Sequence, residues 1–484
     1  MKSDIFQNIL KQSKNSKKLF LIDENKTYND FYINTLLFFD FFKKILKKKE
    51  TICICSGYSL NFVSLIFAAY LNRNVITFIN PNASKNEKKH VVNNSSSSII
   101  FFEKNYLNFK KKNNTFLNFK FVSLNKKSII KSNNIRFIIY TSGTINKAKG
   151  VLLSNDAISS NIRGIAKNIK LKKKDRGIIF SPPAYAMGIS QILTFMYIQN
   201  SIVFYNHGVR FPRELINKIK NNKLSILNIS ISAFRIIQSY LKKNEKFKNL
   251  RLVMSGGMQF SEIDFKLYKK FFPNAKFFNF YGCTENSPRI SHYCINSKKN
   301  YNGFFPVGKP IDGVKIKIKK DFLKKSKIGT ILVSGTSLMS GYLKLKKLNN
   351  NKINNGWFNT GDLGFFDKNK DLYLVGRNDN TFRVGHEKLF PEEIESKIQK
   401  KFKIQEVAIV KIKDKILNWA PICVIVKKSK KINIPVKNIL NEIQNSFSSY
   451  KMPKKIIFLK KIPKTNYGKI NRSKLEDEVS RLYG

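Results

Sequence analysis

Residues Tyr140 to Asn155 read YTSGTINKAKGVLLSN. The apolar run Ile135 to Tyr140, with Arg136 inside it, predicts a buried strand. It breaks into hydroxyls, glycines and lysines before apolar residues resume at Val151. Such a loop suits phosphate. Thr141, Ser142 and Thr144 offer hydroxyl and backbone donors, Gly143 and Gly150 let the main chain approach an anion, and Lys147 and Lys149 add charge at the rim. No Gly-Lys-Ser/Thr opens a helix here, so a Walker-type loop is excluded. On local composition alone, an ordinary Gly/Ser/Lys surface loop reads the same way.

Upstream, KKLFLIDENKTYND predicts strand, turn and strand, with Asn29 capping a helix from about Phe31 to Leu46. A strand (Thr51 to Cys55), a helix (Leu60 to Leu71) and strands at Val75 to Ile79 and near Ser98 to Phe102 follow. This alternation predicts a doubly wound α/β layer. Residues 103–134, rich in Lys, Asn and Ser, read as a surface excursion. Downstream, a strand from Gly177 to Ser181 runs into SPPAYAMGI, placing Tyr185 at the carboxyl end of a parallel strand, where open sheets bind ligands. A packed aromatic under the turn fits the same residues. The strand Leu250 to Met254 leads into SGGMQFSE, where Gly256 and Gly257 allow the main chain to meet a flat ligand. Phe277 to Gly282 leads into NFYGCTENS, and the alternating segments 307–318 and 328–343 predict a small β-rich subdomain. Next comes WFNTGDLGFFDKNKDLYLVGRNDN, whose Asn378, Asp379 and Asn380 mark a boundary. A helix is expected from about Pro391, with Glu392 and Glu393 suited to its first turn. The last patterned stretch is IPKTNYGKINRSKL, Ile462 to Leu475.

In this order the segments resemble the adenylate-forming, or AMP-binding, superfamily of acyl-CoA synthetases, aryl-CoA ligases and peptide-synthetase adenylation domains. Thr141, Ser142, Gly143, Thr144, Lys149 and Gly150 match its phosphate signature, while Ile145, Asn146 and Ala148 replace the usual Thr, Gly and Pro. Tyr281, Gly282, Thr284 and Glu285 match Tyr-Gly-x-Thr-Glu, and Thr360-Gly361-Asp362 matches Thr-Gly-Asp. Pro463, Lys464, Thr465, Gly468, Lys469, Ile470 and Arg472 match the C-terminal motif. The resemblance implies a large N-terminal domain (1–379) of doubly wound α/β subdomains plus a small β-rich one, then a small, mobile α+β C-terminal domain (380–484). It implies that Tyr281 packs on adenine and Asn279 meets its amino group. Thr284 would meet the phosphates, Glu285 would hold Mg²⁺, Asp362 would accept the ribose hydroxyls and Arg377 would lie near them. Gly256, Gly257, Met258, Phe280 and Gly282 would complete the nucleotide site. Tyr185, Ser230, Ile231 and Ser255 would line the acid pocket. Asp379 would be the hinge and Lys469 the catalytic lysine. His386 stands where a second glycine is usual, on the loop along which the family's thiol approaches.

The expected substrates and cofactors are therefore ATP, Mg²⁺, a carboxylic acid and coenzyme A. A stand-alone adenylation enzyme loading a carrier protein's phosphopantetheine is the alternative. Further alternatives are a non-catalytic nucleotide-binding scaffold and a polyanion-binding protein. The polyanion reading rests on composition. The 484 residues carry 90 Lys+Arg against 31 Asp+Glu, a net charge of +59. That excess is scattered with Asn, Ile and Phe along the whole length, whereas nucleic-acid sites concentrate charge on one face. The five cysteines fit neither a disulfide framework nor a zinc pattern, and the four histidines form no cluster. Phe62 to Leu71 is too short to span a bilayer, and no signal-type apolar core opens the chain. A soluble cytoplasmic enzyme is the expectation.

Overall fold

A computed structural model describes residues 4–103, 114–124, 126, 130, 132, 134–141, 148–242, 244–295, 299–301, 303–320, 327–384, 387–414, 417–429, 433–447, 449–465 and 469–483. Two large sheets dominate the N-terminal part. In the eight-stranded sheet, Ile135–Thr141, Val75–Phe78, Thr51–Cys55 and Ile99–Phe102 lie side by side and parallel. Every residue of Thr51–Cys55 and Ile99–Phe102 is buried, as continuous apolar strands covered on both faces must be. The nine-stranded sheet carries Lys276–Gly282, Leu252–Gly256, Ile226–Asn228, Arg176–Ile179 and Ser201–Phe204 in parallel, with Arg289–Ile295 antiparallel at one side. The helices Tyr28–Ile45, Leu60–Leu71, Asn155–Asn168 and Ala186–Tyr197 contribute to one core with both sheets, joining Ile54, Phe101 and Phe137 to Ile179, Met254 and Phe278. A second core covers the other face of the nine-stranded sheet beneath Pro212–Asn221, Ile231–Gln238 and Glu262–Phe271.

A five-stranded sheet built on Val314–Lys319, Gly329–Gly335, Trp357–Phe366 and Leu372–Arg377 supplies the expected β-rich subdomain. The chain then passes a single 3-10 turn, Asn378–Asn380, and enters a small α+β domain. That domain has the three-stranded sheet Ile404–Asp414, Asn418–Lys427 and Lys455–Phe458, with helices Pro391–Lys401, Val436–Ser446 and Arg472–Tyr483.

Two local expectations are corrected. The helix starts at Tyr28, and its cap is Thr27 rather than Asn29. Thr27 and Asp30 form a reciprocal capping box, whereas the Asn29 side chain accepts from the Asn15 amide at 2.9 Å. The polar 103–134 stretch is not all excursion, since Asn114–Phe116 and Phe119–Ser123 extend the eight-stranded sheet. The Phe116 ring stacks on Phe41 at 3.9 Å. Two aromatics thus anchor a segment whose overall polarity hid them.

Candidate active site

The phosphate segment is a β-hairpin. Ile135–Thr141 pairs antiparallel with Lys149–Ser154, and Thr141 lies opposite Lys149 at the end from which residues 142–148 connect the strands. Ser142, Gly143 and Thr144 lie outside the described residues, as do Ile145, Asn146 and Lys147. Gly150 is required for packing, because a Cβ there would lie 2.9 Å from Ile138 and 3.2 Å from the Tyr140 ring. Tyr342, opposite Val151 in the same sheet, connects this hairpin to the next motif. Its hydroxyl donates to Glu285 Oε1 at 2.7 Å, and Lys149 Nζ lies 5.4 Å from its ring centre. Sequence reading passed over Tyr342, whose only signal was SGYL in a short apolar run.

Tyr281 and Gly282 end the strand Lys276–Gly282, and the next residues turn sharply. Thr284–Asn286 forms one 3-10 turn, closed by the Ser287 amide on the Thr284 carbonyl at 3.1 Å. The Glu285 carbonyl accepts from the Met339 amide at 2.8 Å, so the carboxylate is held from both ends. Gly282 is obligatory, since a Cβ would lie 1.8 Å from the Pro288 carbonyl oxygen. Gly282→Ala must displace backbone, and a loss of about 3 kcal/mol in denaturant unfolding is expected.

Asp362 is the meeting point. The Thr360 hydroxyl accepts from the Asp362 amide at 3.0 Å and donates to the Ile331 carbonyl at 2.8 Å, which fixes the Thr-Gly-Asp segment on the five-stranded sheet. Gly361 takes φ +76° between them. Asp362 Oδ2 accepts from the Tyr281 hydroxyl at 2.5 Å, and Oδ1 accepts from Arg377 Nη1 at 2.9 Å. Burial raises the carboxyl's pKa, opposed by Arg377, the Tyr281 hydroxyl and Lys469. Lys469 comes from the C-terminal domain. Its side chain is exposed, while partial desolvation by the protein beside it lowers its pKa, with Asp362 opposing that shift and Arg377 reinforcing it. Its loop is anchored on its own domain. Arg472 donates to Glu395 Oε2 and to the Ile409 carbonyl, both at 2.7 Å, and the Thr465 amide donates to the Lys469 carbonyl at 2.8 Å.

The strand Leu252–Gly256 divides the remaining predicted residues by its pleat. Met254 faces the core between the sheets, while Val253 faces the outer one. Gly256 stands on the Met254 side, and its missing Cβ makes room for the Phe280 ring, 2.4 Å from where that Cβ would be. Gly257 takes φ +83° with open space beside it, and Met258 is exposed. Ser255 falls on the outer side, register partner of Asn279, on the face opposite to Gly256 and Phe280. Ile231 is buried in the outer core, while Ser230 caps its helix by accepting from the Ala233 amide at 3.2 Å. Tyr185 does pack against the inter-sheet core, and its hydroxyl accepts from Asn80 Nδ2 at 3.0 Å. Asn279 donates Nδ2 to the Pro306 carbonyl at 2.8 Å, leaving its buried Oδ1 without a partner. An orphan acceptor there has the polarity to receive an adenine amino group. Asp379 lies in the 3-10 turn between the two parts, and Gly385 and His386 lie outside the described residues.

The family model of the AMP-binding enzyme matches residues 9–343, and that of its C-terminal domain matches 393–469. The chain belongs to the AMP-binding enzyme family. Among its relatives is the 2-succinylbenzoate–CoA ligase of Listeria monocytogenes, 28% identical over 347 residues, 71% of this chain and 70% of the relative. The long-chain-fatty-acid–CoA ligase of Haemophilus influenzae is 28% identical over 366 residues, 72% of this chain and 63% of that one. Among solved structures, ATP-bound MatB from Rhodopseudomonas palustris superimposes with a TM-score of 0.86 at 18% identity, over 100% of both chains. The fold of this AMP-binding enzyme is therefore that of the adenylate-forming enzymes, with a large N-terminal and a small C-terminal domain. No helix among the described residues is long and apolar enough to cross a membrane.

Proposed function

We propose that this AMP-binding enzyme is an AMP-forming acid–thiol ligase. It joins a carboxylic acid to ATP as an acyl-adenylate with release of pyrophosphate, then passes the acyl group to coenzyme A. The observation that supports this reading best is the convergence of Tyr281, Arg377 and Lys469 on Asp362, which brings motifs from three parts of the chain to one carboxylate. Asp362 offers paired acceptors to the ribose hydroxyls, with Arg377 and Tyr281 fixing its orientation. Thr141, Lys149 and the 142–144 segment meet the phosphates.

The acid attacks the α-phosphorus as a carboxylate, already ionised at neutral pH, so no general base is required. Two anions approach each other, and the Lys469 ammonium offsets the charge that accumulates between them. Magnesium suits Glu285, since this ion takes one or two carboxylates and leaves its other positions to phosphate oxygens and water. When bound there it neutralises charge on the phosphates. For the second step, the C-terminal domain turns at Asp379, within the boundary at residues 378–380, and withdraws Lys469 so that the thiol reaches the acyl carbonyl.

ATP–pyrophosphate exchange with a panel of aryl, aliphatic and amino acids tests the first step, and thioester formation with free CoA tests the second. Exchange with at least one acid class is expected. Silence across the panel in a protein that still binds ATP would leave a nucleotide-binding scaffold instead. The charged form of Lys469 is the active one, and its pKa is held below the ordinary 10.5. The exchange rate in kcat/KM is therefore expected to fall along an alkaline limb whose midpoint lies below 10.5. Lys469→Arg removes that limb from the profile.

A further inference from the structure

Arg289 begins the strand Arg289–Ile295 directly after Pro288, and it is only 7% exposed. Its main chain is fully engaged. The amide donates to Asn161 Oδ1 at 3.2 Å, and the carbonyl accepts from Asn161 Nδ2 at 2.7 Å and Asn286 Nδ2 at 2.9 Å. The guanidinium is differently placed. Its carbon lies 3.7 Å over the centre of the Phe280 ring, while Nη1 is buried without a hydrogen-bond partner, and no carboxylate among the described residues pairs with it. Burial alone draws its pKa down to about 9, so it stays charged at neutral pH.

A desolvated guanidinium with no counter-ion is costly, and a planar fork of donors matches a carboxylate better than any neutral group. Arg289 stands opposite Gly282, beside the Tyr281–Asp362 contact of the candidate site. Phe280 occupies the seat left by Gly256, on the strand face shared with Met254 and Phe278. Next along the strand is Tyr281, whose hydroxyl binds Asp362. His292, opposite Phe280, has a buried Nδ1 without a partner; burial and the Arg289 charge lower its pKa to about 4 and keep it neutral. Among the described residues, the Phe280 ring is thus flanked by a guanidinium with no carboxylate partner and by a neutral imidazole.

We propose that the acid activated by this enzyme carries a second carboxylate, away from the reacting one, and that Arg289 binds it over the face of Phe280. This inference rests on the reading of the chain as an acid-activating ligase and names its substrate class, a dicarboxylic acid. The test is ATP–pyrophosphate exchange with chain-matched pairs, succinate against butyrate, glutarate against pentanoate and phthalate against benzoate, in wild type and Arg289→Met. Wild type is expected to favour the best diacid over its monoacid by at least about 100-fold in kcat/KM. Arg289→Met, which keeps the apolar stem over Phe280, is expected to invert that preference while leaving the KM for ATP unchanged, and Arg289→Lys to restore part of it. A wild type that prefers the monoacid of every pair overturns the inference and leaves the adenylating activity standing. A variant that lowers both members of each pair equally makes Arg289 structural and also overturns it. Absence of exchange with any acid, under conditions where ATP binds, overturns both readings. Should Arg289→Met fail to fold, the wild-type ratio and the lysine variant decide.

Discussion

Lys469→Ala is expected to lower the rate of acyl-adenylate formation by about 10²–10³-fold, the range seen when one preorganised electrostatic group is removed from a reacting centre. The same variant is expected to convert a supplied acyl-adenylate and CoA into thioester at about the wild-type rate, because Lys469 acts before the domain turns. The two half-reactions, measured separately, check both statements; equal losses in both would show that the substitution damaged the fold. Such damage is not expected. The loop that carries Lys469 is held by Arg472 on Glu395 and the Ile409 carbonyl, and the lysine contributes only its own backbone to that anchorage.

Asp362→Asn separates binding from stability in a second way. The variant keeps the shape but loses one acceptor and the charge that orders Arg377 and meets the ribose, and a rise of about 100-fold or more in the KM for ATP is expected. Stability should move little. Arg377 is 43% exposed, so the ion pair with Asp362 is screened and is worth at most about 1 kcal/mol. The sign of the remaining effect follows from the raised carboxyl pKa, whose main cause is burial. A carboxyl with a raised folded-state pKa destabilises the fold while ionised, above that pKa, and the penalty disappears as the pH falls through it. Asp362→Asn is therefore expected to be no less stable than wild type at neutral pH, with any difference closing in acid. Denaturant midpoints at neutral and acid pH give the check, and a large loss at neutral pH would show that the Arg377 contact outweighs the burial.

Much of the architecture was legible in the sequence. Continuous apolar runs such as Thr51 to Cys55 and the helix Leu60 to Leu71 emerged where their patterns put them, because burial on both faces leaves few alternatives. The site was legible differently. Nothing in the pattern around Lys469 distinguishes it among 90 Lys and Arg residues, and only the resemblance of its motif singled it out. What escaped depends on partners distant in the chain. Tyr342 matters because Glu285 accepts from it, and Asn80 because it holds the Tyr185 hydroxyl. Arg289 stands out only because, among the described residues, no carboxylate pairs with it. A strand's period of two states that Ser255 and Gly256 point apart, but not which of them faces the core between the sheets, and that is decided by which helices cover each side. The cap at Thr27 was missed by two residues, as helix boundaries often are.

The ladder that places Thr141 opposite Lys149 bears on how this chain has been able to drift. Both ends of the phosphate segment are held by a sheet whose register is set by Phe137, Ile139, Val151 and Leu153, all of them buried in the core between the sheets. Ile145 and Asn146, in place of the family's usual residues, lie between those two strands in the sequence. The register of the hairpin is therefore set by residues other than those in which the chain departs from the family's pattern.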